Sequence, residues 1–358
     1  VQALAEQLKH PWGRAVKRSA FRLCLMLPAA VLALSLASCG GPSENAPSDG
    51  AGQGILSTTS DAGDGAAAAS GETNASESGD PLGGETSGPV YSAPAAVEEP
   101  TVAEAPKDEP QCAIDASCAS KGYVSAAAVN SARLKLQVSS GDMSYNYDLP
   151  GDGEPIVAPL NMGDGDYEIR IMQNTQGNNY VEIAAEPVSV ALDSEFEPYL
   201  RPNQFCNYRN DSQAVAKARE LAAGAANQGD VVRAVYSYIV QNVAYDTQKA
   251  TELADATGYV PNPDETLATE KGICFDYASL AAAMLRSLGI PCQIVTGYVS
   301  PDNIYHAWNM VYIDGSWSCL GYNIGPNAWT RMDLTFAASD GGTSEIGDGT
   351  SYTDRYVY

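Results

Sequence analysis

Histidine is nearly absent from the chain: of 358 residues only His10 and His306 carry an imidazole. Acid–base chemistry that depends on imidazole near neutral pH therefore has few places to occur. Positive charge is scarce as well, with 20 Lys and Arg against 44 Asp and Glu and a net charge of −24 at pH 7. So acidic a balance excludes nucleic acid as a partner held by charge, because affinity for phosphates rests on Lys and Arg. The 8 cysteines include no CxxC pair, and scattered thiols with so little histidine give no closed set of zinc ligands. Neither a metal nor another cofactor is expected. A long membrane-spanning run is missing too, since the apolar stretch that starts near Leu23 falls short of the ~20 residues a span needs.

That stretch has a different look. Lys9, Arg14, Lys17, Arg18 and Arg22 precede it and small residues follow it, which is the layout of a secretory signal over residues 1–38. The "LASC" that ends in Cys39 resembles the lipobox of bacterial lipoproteins, which implies a lipid on Cys39 and a cut before it. The expected location is outside the cytoplasm, anchored by lipid to the outer face of a bacterial cell membrane. Residues 39–110, rich in Gly, Ser, Ala, Pro and Glu and poor in aromatics, read as a disordered linker without a core of its own.

Beyond the linker the hydrophobic period is first two and then about 3.6. "RLKLQV" (133–138), "YNYDL" (145–149), "YEIRIM" (167–172) and "YVEIAAEPVSVAL" (180–192) alternate apolar and polar residues between Gly- and Asp-rich turns. They predict a small antiparallel β domain over 111–200, with Cys112 and Cys118 close enough for a short-loop disulfide. From 201 to 358 helices come first, over 212–226 and 230–246 with Ser212 and Asp230 as N-caps, and then over 275–290. Strands follow at 292–299, 306–313 and 331–336, so the fold class is α+β.

Within that last part, "KGICFDYASLAAAMLRSLGIPC" sets Cys274 after a glycine at the mouth of an apolar helix, where the dipole favours a thiolate. Gly272 there would leave backbone room for a substrate. A nucleophilic thiol also needs a base, and His306, opening the aromatic strand "HAWNMVYI", is the imidazole outside the signal segment. Cys292, in an apolar strand, reads as a structural thiol. Asp276 reads as a helix N-terminal charge.

These segments, "KGICFDYASLAAAMLRSLGIPCQIVTGYV", "YHAWNMVYIDGSW" and "WTRMDLTF", together resemble the core of the transglutaminase-like superfamily. The resemblance runs from about residue 212 to 336 and implies a papain-like fold with a Cys, His, Asp triad in that chain order. Carried over by position, Cys274 is the nucleophile, His306 the base and Asp333 the group that orients it. The family usually reads "DPT" where this chain has Asp333, Leu334 and Thr335, and Asp314 in "YIDGSW" is a competing carboxylate with the setting of a hairpin-turn residue.

The resemblance implies a thiol enzyme that acts on amide bonds through an acyl-thioester on Cys274, by hydrolysis as a cysteine protease or by acyl transfer to an amine. Its expected partner is a peptide or protein substrate, with cell-wall peptide among the options. The Cys274 N–H would be one oxyanion donor, with Asn203 or Gln204 as a candidate second. Tyr245 and Trp308 are candidate substrate-binding aromatics. The alternative is a catalytically idle cell-surface binding module on the same fold.

The lipid assignment has a direct test. Cys39→Ser is expected to release the protein from the membrane fraction or leave it uncleaved. Lipid-labelled mutant protein in unchanged amount would overturn it.

Overall fold

The computed structural model describes residues 83–104, 111–256, 258–300, 303–319, 322–338 and 351–358. The signal segment, Cys39 and the linker up to residue 82 lie outside the described residues. Residues 83–104 correct the expectation of a linker reaching 110. They form an extended strap in which β1 (Glu85–Ser87) pairs antiparallel with β13 (Ser316–Cys319). Thr86 donates to Asp230 at 2.7 Å, the Trp317 indole donates to the Gly83 carbonyl at 3.1 Å, and Asn210 exchanges two hydrogen bonds with Val97. Composition misses the strap because it makes no core itself. It borrows partners more than 100 residues away and adds Val97 and Ala103 to a core built by others.

The β region matches its alternating pattern and adds to it. β4 (Leu134–Ser140), β5 (Met143–Leu149), β7 (Gly165–Gln176) and β8 (Asn179–Val190) form an antiparallel sheet in the order β5-β4-β7-β8. Leu134, Leu136, Val138, Tyr145, Tyr147, Ile169 and Ile171 bury its inner face. A second sheet, β2 (Cys112–Asp115), β3 (Tyr123–Ala128) and β6 (Ile156–Pro159), escaped the period-two search because β3, "YVSAAA", is buried along its whole length and so does not alternate. Cys112 and Cys118 carry free thiols.

The helical part starts where its apolar spacing puts it. Helix α1 (Gln213–Leu221) follows Ser212, and α2 (Gln228–Asn242) is capped by Asn227, whose side chain accepts the Asp230 N–H at 3.1 Å. Asp230 is therefore a first-turn residue and not the cap. A two-stranded parallel pair, β9 (Ala244–Tyr245) with β10 (Lys271–Gly272), encloses α3 (Thr247–Glu252) and α4 (Pro263–Thr269). Helix α5 (Cys274–Ser287) is buried on nearly every side, which suits its run of Ala, Leu and Met. Gly289, at φ +76°, turns the chain out of it.

The sheet behind α5 has the order β15-β12-β11-β16, with β11 (Cys292–Val299), β12 (Ile304–Val311), β15 (Thr330–Met332) and β16 (Tyr352–Val357) all antiparallel. The strand expected over 331–336 ends at Met332, and residues 334–338 are a short helix, α6 (Leu334–Ala338). A small sheet joins β1, β13 and β14 (Tyr322–Ile324). Asn309 locks the main sheet to α5, donating to the Ala278 carbonyl at 3.0 Å and to Gln293 at 3.1 Å. The result is the α+β class, and one hydrophobic cluster runs from Val124 in the β region through α1, α2 and α5 to Tyr358.

The strap should contribute measurably. A chain that starts at residue 111 loses the β1 pairing and the Thr86, Val97 and Trp317 bonds, and is expected to be less stable by roughly 3 kcal/mol than one starting at 83. Urea unfolding of the two chains measures this, and equal midpoints would show that the strap contributes nothing.

Candidate active site

Cys274 opens α5 because the turn before it is pinned from inside. Ile273 is the N-cap, and Asp276 folds back so that its Oδ2 accepts the Ile273 N–H at 2.8 Å. That fold-back requires a glycine at 272, since a Cβ there would stand 2.5 Å from the Asp276 Cβ. Expected to make room for a substrate, Gly272 instead makes room for this carboxylate. Asp276 is fully buried and is also held by Lys249 Nζ at 2.9 Å and by the Tyr259 hydroxyl. Burial, and then the bond to Asp276, push the Tyr259 phenol well above its ordinary range. Lys249 arrives on α3, which Asp246 caps by accepting the Lys249 N–H at 2.9 Å.

The base comes from the sheet. His306 pairs with Gly297 across β11 and β12, is 5% exposed, and stacks on Phe336 with ring centres 4.5 Å apart and planes 15° from parallel. Its Nε2 lies 2.7 Å from Asp333 Oδ2, and the Cys274 thiol is near enough to act on the ring. With Nε2 taken by Asp333, Nδ1 is the ring nitrogen that remains for another partner. Burial alone would lower the imidazole pKa. The Asp333 carboxylate outweighs it, with help from Cys274, and the imidazole is pushed up to about 10.

Asp333 sits at the junction of β15 and α6, and is itself fully buried. Its Oδ1 accepts the Phe336 N–H at 3.1 Å, as an N-cap does, while Oδ2 accepts from His306 and from the Tyr352 hydroxyl at 2.9 Å. Leu334 thus occupies the first helical position. Proline is favoured there because that N–H has no helical partner, so leucine in its place leaves the cap intact.

The structure brings Cys274, His306 and Asp333 together, and it sorts the remaining candidates. Asp314 is exposed in the turn before β13, its N–H on Gln228. Trp308 is 1% exposed, with its ring edge-on to Tyr352, so it packs the core and does not line a groove. Tyr245 is 39% exposed and pairs with Gly272, two residues before the thiol. Gln204 donates its amide to the Asp148 carbonyl and Asn203 Oδ1 accepts from Phe205, and neither bond reaches Cys274. The described residues hold no group of three or more His, Cys, Asp or Glu that could bind a metal ion.

Residues 215–333 match the model of the transglutaminase-like superfamily. The chain carries a transglutaminase-like domain. Among curated proteins, kyphoscoliosis peptidase of Mus musculus is 33% identical over 96 residues, 24% of this chain and 14% of that protein. A UPF0252 protein of Archaeoglobus fulgidus is 28% identical over 99 residues, 24% of this chain and 32% of that protein. The chain thus spans about a seventh to a third of the length of these relatives. A solved structure from Cytophaga hutchinsonii, described as a candidate cysteine protease, aligns with 65% of this chain and 73% of its own at 17% identity and a TM-score of 0.35.

Three residues that touch the transglutaminase-like site were not singled out in the sequence: Lys249, Tyr259 and Tyr352. Lys249 and Tyr259 surround Asp276 from a segment whose short helices carry little periodicity. Tyr352 reaches Asp333 from β16, beyond the span of the family match. The one available signal was Asp276 itself, a carboxylate in the first turn of an otherwise apolar helix, which demands buried partners.

The raised pKa of His306 gives a pH prediction. The folded value lies above the ordinary 6.5, so the stability it contributes is fully present below about pH 6.5 and is lost as pH rises through about 10. In a chain that starts at residue 83, His306 is the single histidine, and nitrogen NMR is expected to find its ring still protonated at pH 8. A midpoint near 6.5 would show that the pairing with Asp333 does not hold the charge.

Proposed function

We propose that the chain is a thiol enzyme that cleaves or transfers amide-linked acyl groups of peptides or proteins. The observation that carries this reading is His306 held between the Cys274 thiol and the buried Asp333 carboxylate. In that arrangement the sulfur is the nucleophile, His306 the proton carrier and Asp333 the group that fixes the ring and stabilises its cationic form. The Cys274 thiolate attacks the amide carbonyl, and the electron pair of the C=O moves to oxygen. N–H groups of the first turn of α5, which have no helical acceptor, point their dipoles toward that region and suit an oxyanion. Collapse breaks the C–N bond, His306 gives its proton to the leaving amine, and an acyl-thioester remains on Cys274. Water or a second amine then attacks the thioester, His306 takes the proton, and the thiolate leaves.

Tyr245, exposed beside Gly272, is placed to contact a bound chain near the scissile bond. With all three groups present, His306 paired with Asp333 and Cys274 acting on the ring, the enzyme reading is favoured over an idle binding module. The signal-like segment and Cys39 support a location outside the cytoplasm on a lipid anchor.

The thiols offer a test that separates chemistry from exposure. Cys292 and Cys206 are fully buried, and burial pushes their thiols up to about 12 and about 11, with Arg286 pulling each partly back. Cys274 is half-buried and lies near His306. At pH 6, iodoacetamide followed by peptide mapping is expected to label Cys274 well ahead of Cys292 and Cys206, and more slowly in His306→Ala. Release of labelled peptides from casein, or incorporation of dansylcadaverine into it, should fall roughly 10³-fold or more in Cys274→Ala and in Asp333→Asn. Asp333→Asn should affect labelling less than turnover. A Cys274 that labels no faster than the buried thiols, in a protein with neither activity, would leave the binding module as the better reading.

A further inference from the structure

The segment 351–358 had no role at the level of sequence, yet it forms the edge strand β16 and carries a phenol to the heart of the site. Register puts it there. Val299 is opposite Ile304 on β12 and opposite Tyr352 on β16, so His306 and Trp308, two and four residues along from Ile304, share a sheet face with Tyr352. Between Thr296 and Gly297 the β16 pairing slips by one residue, and Gly297 must be a glycine: a Cβ there would lie 2.1 Å from the Thr353 carbonyl oxygen.

On that shared face Tyr352 is 8% exposed, edge-on to Trp308 with ring centres 4.9 Å apart. The Arg331 guanidinium stands 4.1 Å from its ring centre. A nearby cation makes a phenol O–H a stronger donor, and the oxygen that it reaches is Asp333 Oδ2, the same one that holds His306 Nε2.

We propose that Tyr352 is a positioning residue of the site: its hydroxyl and His306 Nε2 together hold Asp333 Oδ2, and this fixes the imidazole in line with Cys274. The inference rests on the thiol-enzyme reading. The geometry assigns Tyr352 no contact with substrate and no proton transfer. Its effect is exerted through the carboxylate. Two donors on one oxygen leave Asp333 a single rotamer, and the phenol takes up part of the carboxylate charge that would otherwise act on the imidazolium. The titratable and charged groups that face the pair among the described residues are Cys274 from α5, Tyr352 from β16 and Arg331 from β15, with Asp276, Lys249 and Tyr259 beyond the thiol.

Tyr352→Phe in the full chain tests this, because it removes the hydroxyl and keeps the ring against Trp308. Two readouts are needed. The NMR midpoint of His306, identified with His306→Gln, is expected to move upward by about half a unit or more, since the carboxylate, short of one donor, holds the imidazolium more tightly. Turnover is expected to fall about 10-fold in kcat with KM within roughly 2-fold, the loss of one hydrogen bond to a charged group. In an Asp333→Asn background the same change should cost less than about 2-fold, because the hydroxyl then has no carboxylate to act through.

A midpoint that stays in place or moves down, or an equal loss of kcat in both backgrounds, would overturn the proposal. The midpoint does not depend on turnover. If the unaltered protein has no activity, the thiol-enzyme reading falls while the NMR shift still decides whether Tyr352 acts on the imidazole.

Discussion

The ion pair between His306 and Asp333 is the constraint on which the sheet and the short helix α6 depend. A carboxylate with no exposed surface costs several kcal/mol to desolvate and is tolerated only when its oxygens are filled. Filling them takes three separate segments: β12 brings the imidazole, α6 brings the Phe336 N–H, and β16 brings the Tyr352 hydroxyl. A strand order of β15-β12-β11-β16 is what allows those segments to meet. The stacked Phe336 ring then closes one side of the imidazole, which keeps water away and strengthens the pair.

A second buried carboxylate does comparable work at the other end of the site. Asp276 fastens the N-cap of α5, and so the position of Cys274, while Lys249 and Tyr259 supply its charge and hydrogen-bond balance. The thiol is therefore fixed from the helical side and the imidazole from the sheet side. Asn309 ties the two supports together by bonding β12 to the Ala278 carbonyl of α5. Preorganisation of this kind, with reacting groups on packed elements and their supports buried, is what a covalent mechanism requires of its scaffold.

Much of this was legible in the sequence, for physical reasons. Cys274, His306 and Asp333 stood out through a glycine before a helix, a lone imidazole in an aromatic strand, and a family pattern from which this chain departs by carrying Leu334 where proline is usual. The alternating strands of the β region could be found because one of their faces is wet. β3 could not, since it is buried on both faces. The strap over 83–104 was misjudged because composition reports whether a segment can bury itself, and this one is held by groups such as Asp230 and Asn210 far along the chain. Tyr352 was hidden for the same reason, being 19 residues from Asp333 in sequence, on an edge strand whose other residues are largely exposed.

The placement of β16 also links the β region to the chemistry. At one end the strand meets Asp333. Just past its other end the Tyr358 carbonyl accepts from the buried Arg286 guanidinium at 2.7 Å and from the Ile294 N–H at 2.9 Å. Arg286 also binds the Cys292 and Arg201 carbonyls, each at 2.8 Å, so one cation ties α5, β11, the connection at 201 and β16 together. The Tyr358 ring packs on Phe205, Tyr147 and Tyr145, and the last two belong to β5. An edge strand without such an anchor would be free to fray, and with it the phenol on Asp333 would be lost. The β region holds no group of the triad, but it supplies the rings against which β16 is seated, and through that strand it bears on how firmly the imidazole is held.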